Sequence, residues 1–325
     1  MLKNKALIIT SKDDAHADYV IDKANGLELG NKLIRLNTED FNQNCTISFK
    51  DGEFFVHIKD SDRYFSSSEV LSVWFRRPKD IDVQHSQTDV KQYIEIQSTA
   101  SLRGLYFCTH DSAVWINPLT SLHRARIKIQ QLQKALDLGF DVPQSIVSNS
   151  PNELISFFDR FKIVCTKSLD EPNFTINGVL YPMFTRIVQD KNELINNIDS
   201  LRICPVLLQE YIEKNSDIRV IVLGDRVFSI EIFSQDNELS IHDFRGVAPK
   251  FLRHSIHQLP SSLVKMIQDF VKQQGLYFSA LDFVLSKDGQ YFFLENNPNG
   301  QWLWLEGITG INISDCLLQD LLGSR

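Results

Sequence analysis

Short apolar runs alternate along the chain with stretches whose apolar residues recur every three or four positions. The two periods separate strands from helices. ALIIT (6–10) suits a buried parallel strand, 14–30 an amphipathic helix ending near Gly30, and KLIRLN the next strand. That β-α-β opening predicts a doubly wound α/β unit. It carries no GxGxxG, so the dinucleotide fingerprint is missing. TISFKDGEFFVHI predicts a hairpin turned at Asp51-Gly52. VLSVWFRRP (70–78) predicts a strand ending in two arginines, 88–108 a long helix, and AVWINP a returning strand. The first domain is expected to span 1–118 and end near Pro118.

SLHRARIKIQQLQKALDLGFDVP (121–143) predicts a helix stopped by Gly139 and Pro143. There follow the strand SIVSN, the helix NELISFFDRF, the strand KIVCTKS, the hairpin FTINGVLYPMFTRIV, the helix NELINNIDSL and the strand PVLLQEYI. The last block opens with the hairpin IRVIVLGDRVFSIEIFS, turned at Gly224-Asp225. A helix, SSLVKMIQDFVKQQG, a second hairpin from Leu281 and a C-terminal helix complete it. The expected organisation is a first domain, a central subdomain at 119–205 and a C-terminal one at 206–325.

Composition narrows the class. At 325 residues the chain exceeds what one compact core usually holds. Its 43% hydrophobic and 23% charged residues are the balance of a soluble globular protein. A formal net charge of -7 argues against general nucleic-acid binding. The apolar run at the N-terminus turns acidic at once, and no run approaches roughly 18 residues. No signal or membrane span is expected, and the location is expected to be cytoplasmic. The five cysteines form no CxxC pair and are odd in number, which argues against a zinc knuckle or disulfide framework. Four lie in apolar runs and are expected to be buried thiols.

The last hairpin carries the chemistry. With Asp288-Gly289 as the central turn residues, Lys287 faces Gln290 and Asp282 faces Glu295. Asn297 then shares the face of Glu295. Two carboxylates directly opposite repel, so a shared proton, a nearby Arg or Lys, or a divalent cation must offset them. Asp282, Glu295 and Asn297 offer only oxygen, which with water and phosphate completes the shell of Mg²⁺. An isolated Asp and Glu here read as solvated acids; their pairing, with Asn297 beside them, favours a metal site. The segment has no His or Cys, which argues against zinc.

Mg²⁺ held this way serves phosphates, and phosphate-binding groups stand upstream. Lys167 ends KIVCTKS and Lys128 lies near a helix start; alone, each reads as a surface lysine. VLLQEYIE ends in Gln209-Glu210-Tyr211-Ile212, a strand end whose backbone suits an adenine edge, with Asp217 within reach of a ribose. Arg219 alternates with Asp217, and Arg245 lies in HDFRG; arginines there stabilise the charge of phosphoryl transfer.

In their order, Lys128, Lys167, Gln209–Ile212, SDIRV, HDFRG, LDFVL and FLENNPNG resemble the ATP-grasp superfamily over about 118–325. VWFRRP with INPLTSLHRARIKIQQLQKALDLGFDVP resembles the ligases that macrocyclise ribosomal peptides to microviridin- and plesiocin-like graspetides. The resemblance implies an ATP-grasp fold behind an N-terminal pre-ATP-grasp α/β domain, with ATP and a pair of Mg²⁺ ions as cofactors. It implies that Lys128 and Lys167 contact phosphates, that Gln209, Glu210, Tyr211 and Ile212 line the adenine, and that Asp217 holds the ribose. Asp282, Glu295 and Asn297 would bind metal, and Arg219 and Arg245 would steady the acyl phosphate. The partner would be a precursor peptide with a leader, held by residues 172–200 including Phe184 and Arg186. Arg76 and Arg77 would meet acidic core residues. A homodimer is expected from the same source. SLDEPNFTINGVLYPMFTR departs from the glycine-rich phosphate loop of many ATP-grasp proteins, having a single Gly. Two other readings stand beside this one: a ligase that adds a free amino acid to a peptide or protein, and a nucleotide-binding scaffold without catalysis.

Overall fold

A computed structural model describes residues 3–170, 173–177, 179–182 and 184–323. The chain divides into two units. The first runs to Leu122 and also takes Gly275–Phe278 and the stretch from Asn312 onward. The second holds His123–Gln274 and Ser279–Ile311. The central and C-terminal blocks of the sequence reading thus lie in one unit, and the chain returns twice to the first.

In the first unit, β1 (Lys5–Thr10), β2 (Leu33–Asn37), β6 (Val70–Phe75) and β7 (Val114–Ile116) form a parallel sheet in the order β2-β1-β6-β7. Between them, β3 (Cys45–Lys50), β4 (Glu53–Ile58) and β5 (Arg63–Ser66) make an antiparallel sheet. Its first turn has φ +54° at Asp51 and +81° at Gly52, the left-handed pair that a two-residue hairpin demands. Helix α1 (Ala15–Gly26) starts at Asp14, whose carboxylate accepts the His16 N–H and the Thr10 hydroxyl. A short α2 (Phe41–Asn44) precedes the meander, and α3 (Thr88–His110) buries Leu102, Leu105 and Tyr106 against Leu7, Ile9, Val73 and Trp115. The Ser72 hydroxyl donates to the Leu321 carbonyl, and Lys23 pairs with Asp315, so the C-terminal helix belongs to this core.

The expected helix at 121–143 is two, α4 (Leu119–Ala125) and α5 (Lys128–Asp137), with Ile127 in extended backbone between them. The second unit then contains β8 (Ser145–Ser148), α6 (Pro151–Phe161), β9 (Val164–Lys167), β10 (Asn173–Ile176), β11 (Val179–Pro182), β12 (Arg186–Val188), α7 (Lys191–Ile195), α8 (Ile198–Ile203) and β13 (Val206–Glu210). Strands β12-β9-β13-β8 form one antiparallel sheet, covered by Leu154 and Phe158 of α6 and Leu194 and Leu201 of the two short helices. A second sheet, β16-β15-β14-β17-β18, contains β14 (Lys214–Leu223), β15 (Arg226–Ile232), β16 (His254–Ile256), β17 (Phe278–Ser286) and β18 (Tyr291–Asn297). Helix α9 (Ser261–Gln273) buries Ile267 and Phe270, and Phe270 meets Phe140 and Phe293. Helix α10 (Leu303–Thr309) lies in this unit; α11 (Ile313–Leu321) is the C-terminal helix of the first.

The buried-thiol expectation fails for most cysteines. Cys165 is buried, Cys108 and Cys204 are exposed, and Cys45 and Cys316 are intermediate; all five are free. An apolar neighbour in sequence does not bury a thiol at a helix end or on the outward side of α3. Among the described residues no helix is long and apolar enough to cross a membrane.

Candidate active site

Alternation along β9 and β13 sets the first group of side chains. Cys165 and Lys167 share one face, and Gln209 pairs in register with Cys165. Gln209 is buried, its amide donating to the Ser145 hydroxyl at 2.9 Å. Glu210 is tied to Gln144 by its own N–H and by its carboxylate. Lys167, Gln209, Glu210, Tyr211 and Ile212 line a narrow cleft with Val284 and Leu294 of the second sheet. The Tyr211 hydroxyl meets His242 Nδ1 at 3.1 Å.

Asp282 and Glu295 are register partners in β17 and β18, with Asn297 opposite Ala280. The turn between the strands is not the expected one. Leu285 pairs with Tyr291 and Ser286 bonds Gln290, so Lys287–Gly289 form a three-residue loop with Gly289 at φ +80°. Taken alone, that loop shifts the register by one and separates the carboxylates. A bulge between Phe283 and Asp282, where Leu294 is the extra residue, shifts it back. The bulge also lets Leu294 line the cleft next to Glu295.

Four cations surround this pair. Arg219 Nη1 lies 2.7 and 2.6 Å from the two oxygens of Asp282. Lys128 Nζ is 3.6 Å from Glu295 and donates to the Ser168 carbonyl at 2.6 Å. Burial alone would raise the Glu295 pKa. The fields of Lys167, Lys128, Arg245 and Arg219 more than offset it, and the carboxylate titrates below its ordinary range. Asp282 shifts up, because burial outweighs Arg219 and Glu295 adds like charge. Burial lowers the pKa of Lys128, with Glu295 opposing. Lys167 makes no ion pair among the described residues.

Other expected residues have defined surroundings. Asp217 is buried and accepts two hydrogen bonds from Lys214 Nζ, at 2.9 and 2.7 Å; burial raises its pKa and Lys214 opposes this. Arg245 is fixed by Asp243, at 2.8 Å from Nε and 2.6 Å from Nη2. Asp243 also accepts the Thr185 N–H; burial works against its charge, but Arg245 holds its pKa at about 2. In the first unit Arg76 is 2% exposed beside Asp14, and burial lowers its pKa to about 10, whereas Arg77 is exposed. Phe184 is exposed, and Arg186 is exposed and bonded to Glu193. Of the expected leader-contacting stretch, Pro172, Gly178 and Met183 lie outside the described residues. Sequence reading missed Lys214 and Asp243. Asp243 stands two residues before Arg245, a spacing that hints at a local pair; Lys214 has no comparable signal.

The donor set suits a hard cation. Each Asp282 oxygen accepts one hydrogen bond and retains a lone pair, and the Asn297 amide oxygen accepts the Asn299 N–H at 3.1 Å. Among the described residues no three His, Cys, Asp or Glu stand together. Two carboxylates and an amide therefore fit an ion that keeps water and phosphate ligands, as Mg²⁺ does. Lys167, Lys128 and Arg245 supply the positive field a polyphosphate needs.

Two family models match the chain. The MvdD pre-ATP grasp domain matches residues 5–123, and the RimK-like ATP-grasp domain matches residues 125–321. A RiPP-associated ATP-grasp ligase from Chryseobacterium gregarium, in complex with ADP and a leader and core peptide, superposes with a TM-score of 0.87 at 24% identity. The match covers 99% of this chain and 97% of that one. Macrocyclase MdnC from Microcystis aeruginosa MRC, bound with precursor peptide MdnA, gives 0.83 at 26% identity, covering 98% and 99%. The tetrahydromethanopterin:alpha-L-glutamate ligase of Methanocaldococcus jannaschii is 25% identical over 64% of this chain and 69% of its own length.

Proposed function

Because the chain belongs to the RimK-like ATP-grasp family, we propose that it is an ATP-dependent ligase that closes rings in a ribosomally made precursor peptide. The observation that carries this reading is the facing Asp282–Glu295 pair among Lys128, Lys167, Arg219 and Arg245. Lys128 and Lys167 hold the phosphates of ATP, and Gln209–Ile212 and Leu294 enclose the adenine. Asp217 lies toward the ribose, held in place by Lys214. Asp282, Glu295 and Asn297 hold Mg²⁺, a pair of ions in the full complex, which when bound neutralises phosphate charge. A side-chain carboxylate of the peptide attacks the γ-phosphorus and ADP leaves. A Thr or Ser hydroxyl then attacks the acyl carbon, loses its proton and displaces phosphate, leaving an ω-ester; a Lys amine gives an ω-amide. Arg219 and Arg245, oriented by Asp282 and Asp243, steady the charge on the acyl phosphate. No side chain serves as covalent nucleophile, so catalysis is positioning and electrostatics.

The leader peptide docks on residues 172–200, where Val179, Tyr181 and Phe184 are exposed and Arg186 adds charge. Arg77 is the exposed member of the Arg76–Arg77 pair and faces acidic core residues. The enzyme works as a homodimer in the cytoplasm, and the exposed Tyr93, Ile96 and Phe107 on α3 give it an apolar surface for self-association.

The test is intact-mass analysis after incubation with ATP, Mg²⁺, a mixture of free amino acids and the short peptide encoded beside the gene. Loss of mass in steps of about 18 Da, with ADP released, supports ring closure through an acyl phosphate. A gain in mass would replace this reading with a ligase that adds an amino acid.

A further inference from the structure

The outer edge of β18 is not left open. β18 is the last strand of its sheet, so alternate backbone groups on its far side have no strand to pair with. The chain closes that edge at two points. The Phe293 N–H donates to the Asp141 carbonyl at 2.8 Å. At Asn296 the partner is a side chain. Gln131 Oε1 accepts the Asn296 N–H at 2.9 Å, and Gln131 Nε2 donates to the Asn296 carbonyl at 2.8 Å. One amide thus takes the place of a neighbouring strand. Gln131 Nε2 also donates to the Ala125 carbonyl at 2.6 Å, at the last residue of α4. Gln131 is 3% exposed and Asn296 4%, so water cannot replace these bonds.

Asn296 stands between Glu295 and Asn297, and its own side chain turns to the Ser279 hydroxyl on the other face. The clamp therefore grips both peptide units that flank Asn296, one shared with Glu295 and one with Asn297. Gln131 is also one helical turn from Lys128 on α5, so the same contact ties the helix that carries Lys128 to the strand that carries Glu295.

We propose that Gln131 is a positioning residue: its amide holds the backbone at Asn296 so that Glu295 and Asn297 present their oxygens together and Lys128 stands beside them. This rests on the metal reading of Glu295 and Asn297. It assigns to α5 a role in metal affinity through a residue that touches neither metal nor nucleotide. Partners that orient ligands in this way typically contribute about 10- to 100-fold to metal affinity.

The test is Mn²⁺ binding to the full chain in the presence of ADP, read by electron paramagnetic resonance of free Mn²⁺. Four variants are compared with the parent protein: Gln131→Met, Gln131→Asn, Ala135→Gly and Glu295→Gln. Gln131→Met keeps the volume and removes the amide, and it should weaken Mn²⁺ at least about tenfold. Gln131→Asn keeps an amide too short to span Asn296 and should fall between; it carries the test if the Met variant does not fold. Ala135→Gly lowers the stability of the same helix without touching Asn296 and should leave Mn²⁺ affinity unchanged. Parent-like Mn²⁺ affinity in the Gln131 variants, with binding lost in Glu295→Gln, overturns the positioning role and leaves the metal site standing. Equal weakening by Ala135→Gly also overturns it, because helix stability alone then accounts for the loss. Parent-like binding by Glu295→Gln removes the metal reading, and the inference with it.

Discussion

Arg219 directs one nitrogen at both oxygens of Asp282, at 2.7 and 2.6 Å, with 9% and 14% of the two side chains exposed. From sequence alone, Asp282→Ala is expected to abolish turnover and leave the fold intact, because it relieves the repulsion with Glu295. With Arg219 in place, Asp282→Ala instead leaves a largely buried guanidinium without its counter-ion. Such a loss costs about 3 kcal/mol or more. Urea unfolding of Asp282→Ala should show that deficit, and Arg219→Met/Asp282→Leu should recover part of it while turnover stays abolished. A single variant as stable as the parent would contradict the pairing.

Lys167 and Lys128 differ in what they touch. Lys128 bonds Ser168 and lies near Glu295, whereas Lys167 has no ion pair among the described residues. Lys167→Ala removes a field that favours the Glu295 carboxylate together with one that opposes the Lys128 charge, so it should change the melting temperature little. It should weaken ATP binding about 10- to 100-fold, the effect of one charge-assisted contact. Calorimetric titration with ATP checks this. Unchanged affinity would remove Lys167 from the phosphate site.

Gly300 has no room for a methyl group. A Cβ there would stand 2.3 Å from the Ala280 Cβ and 2.9 Å from Arg219 Nη2. Both neighbours are tied to the Asp282 strand. Gly300→Ala should destabilise the chain by about 2 kcal/mol through overpacking and should lower turnover by displacing Arg219. Thermal melts alongside ADP release would detect both effects, and a silent substitution would show that this loop yields freely.

His16 gives the first unit an acid-sensitive contribution. Burial, with Arg76 and Arg77 adding to it and Asp14 opposing, lowers its pKa from 6.5 to about 3. The unfolded chain therefore takes up a proton between pH 6.5 and 3 that the folded chain does not. The contribution is complete above pH 6.5 and is lost as the pH falls. Between pH 7 and 5 it amounts to about 2 kcal/mol. Urea midpoints at those two pH values should diverge more for the parent than for His16→Gln; parallel shifts would exclude His16 as the source.

Local pattern determined much of this protein. The apolar runs marked strands β1, β6 and β9, Asp51-Gly52 and Gly224-Asp225 marked their hairpin turns, and the order of charged motifs marked the family. Asn297 was legible on the face of Glu295 because alternation is a property of the strand itself, whereas Asp282 was placed opposite Glu295 through a two-residue turn that the structure replaces. Tertiary structure decided what the pair faces. The three-residue turn and the bulge at Leu294 cancel each other, and neither has a local signature in the sequence. Arg219 reaches Asp282 across 63 positions, and Gln131 reaches Asn296 across 165. Contacts at such separations depend on how sheets and helices pack, not on any periodicity along the chain. The same holds for exposed Cys108 and for the break between α4 and α5, where Gln131 bonds the Ala125 carbonyl that a continuous helix would have used internally.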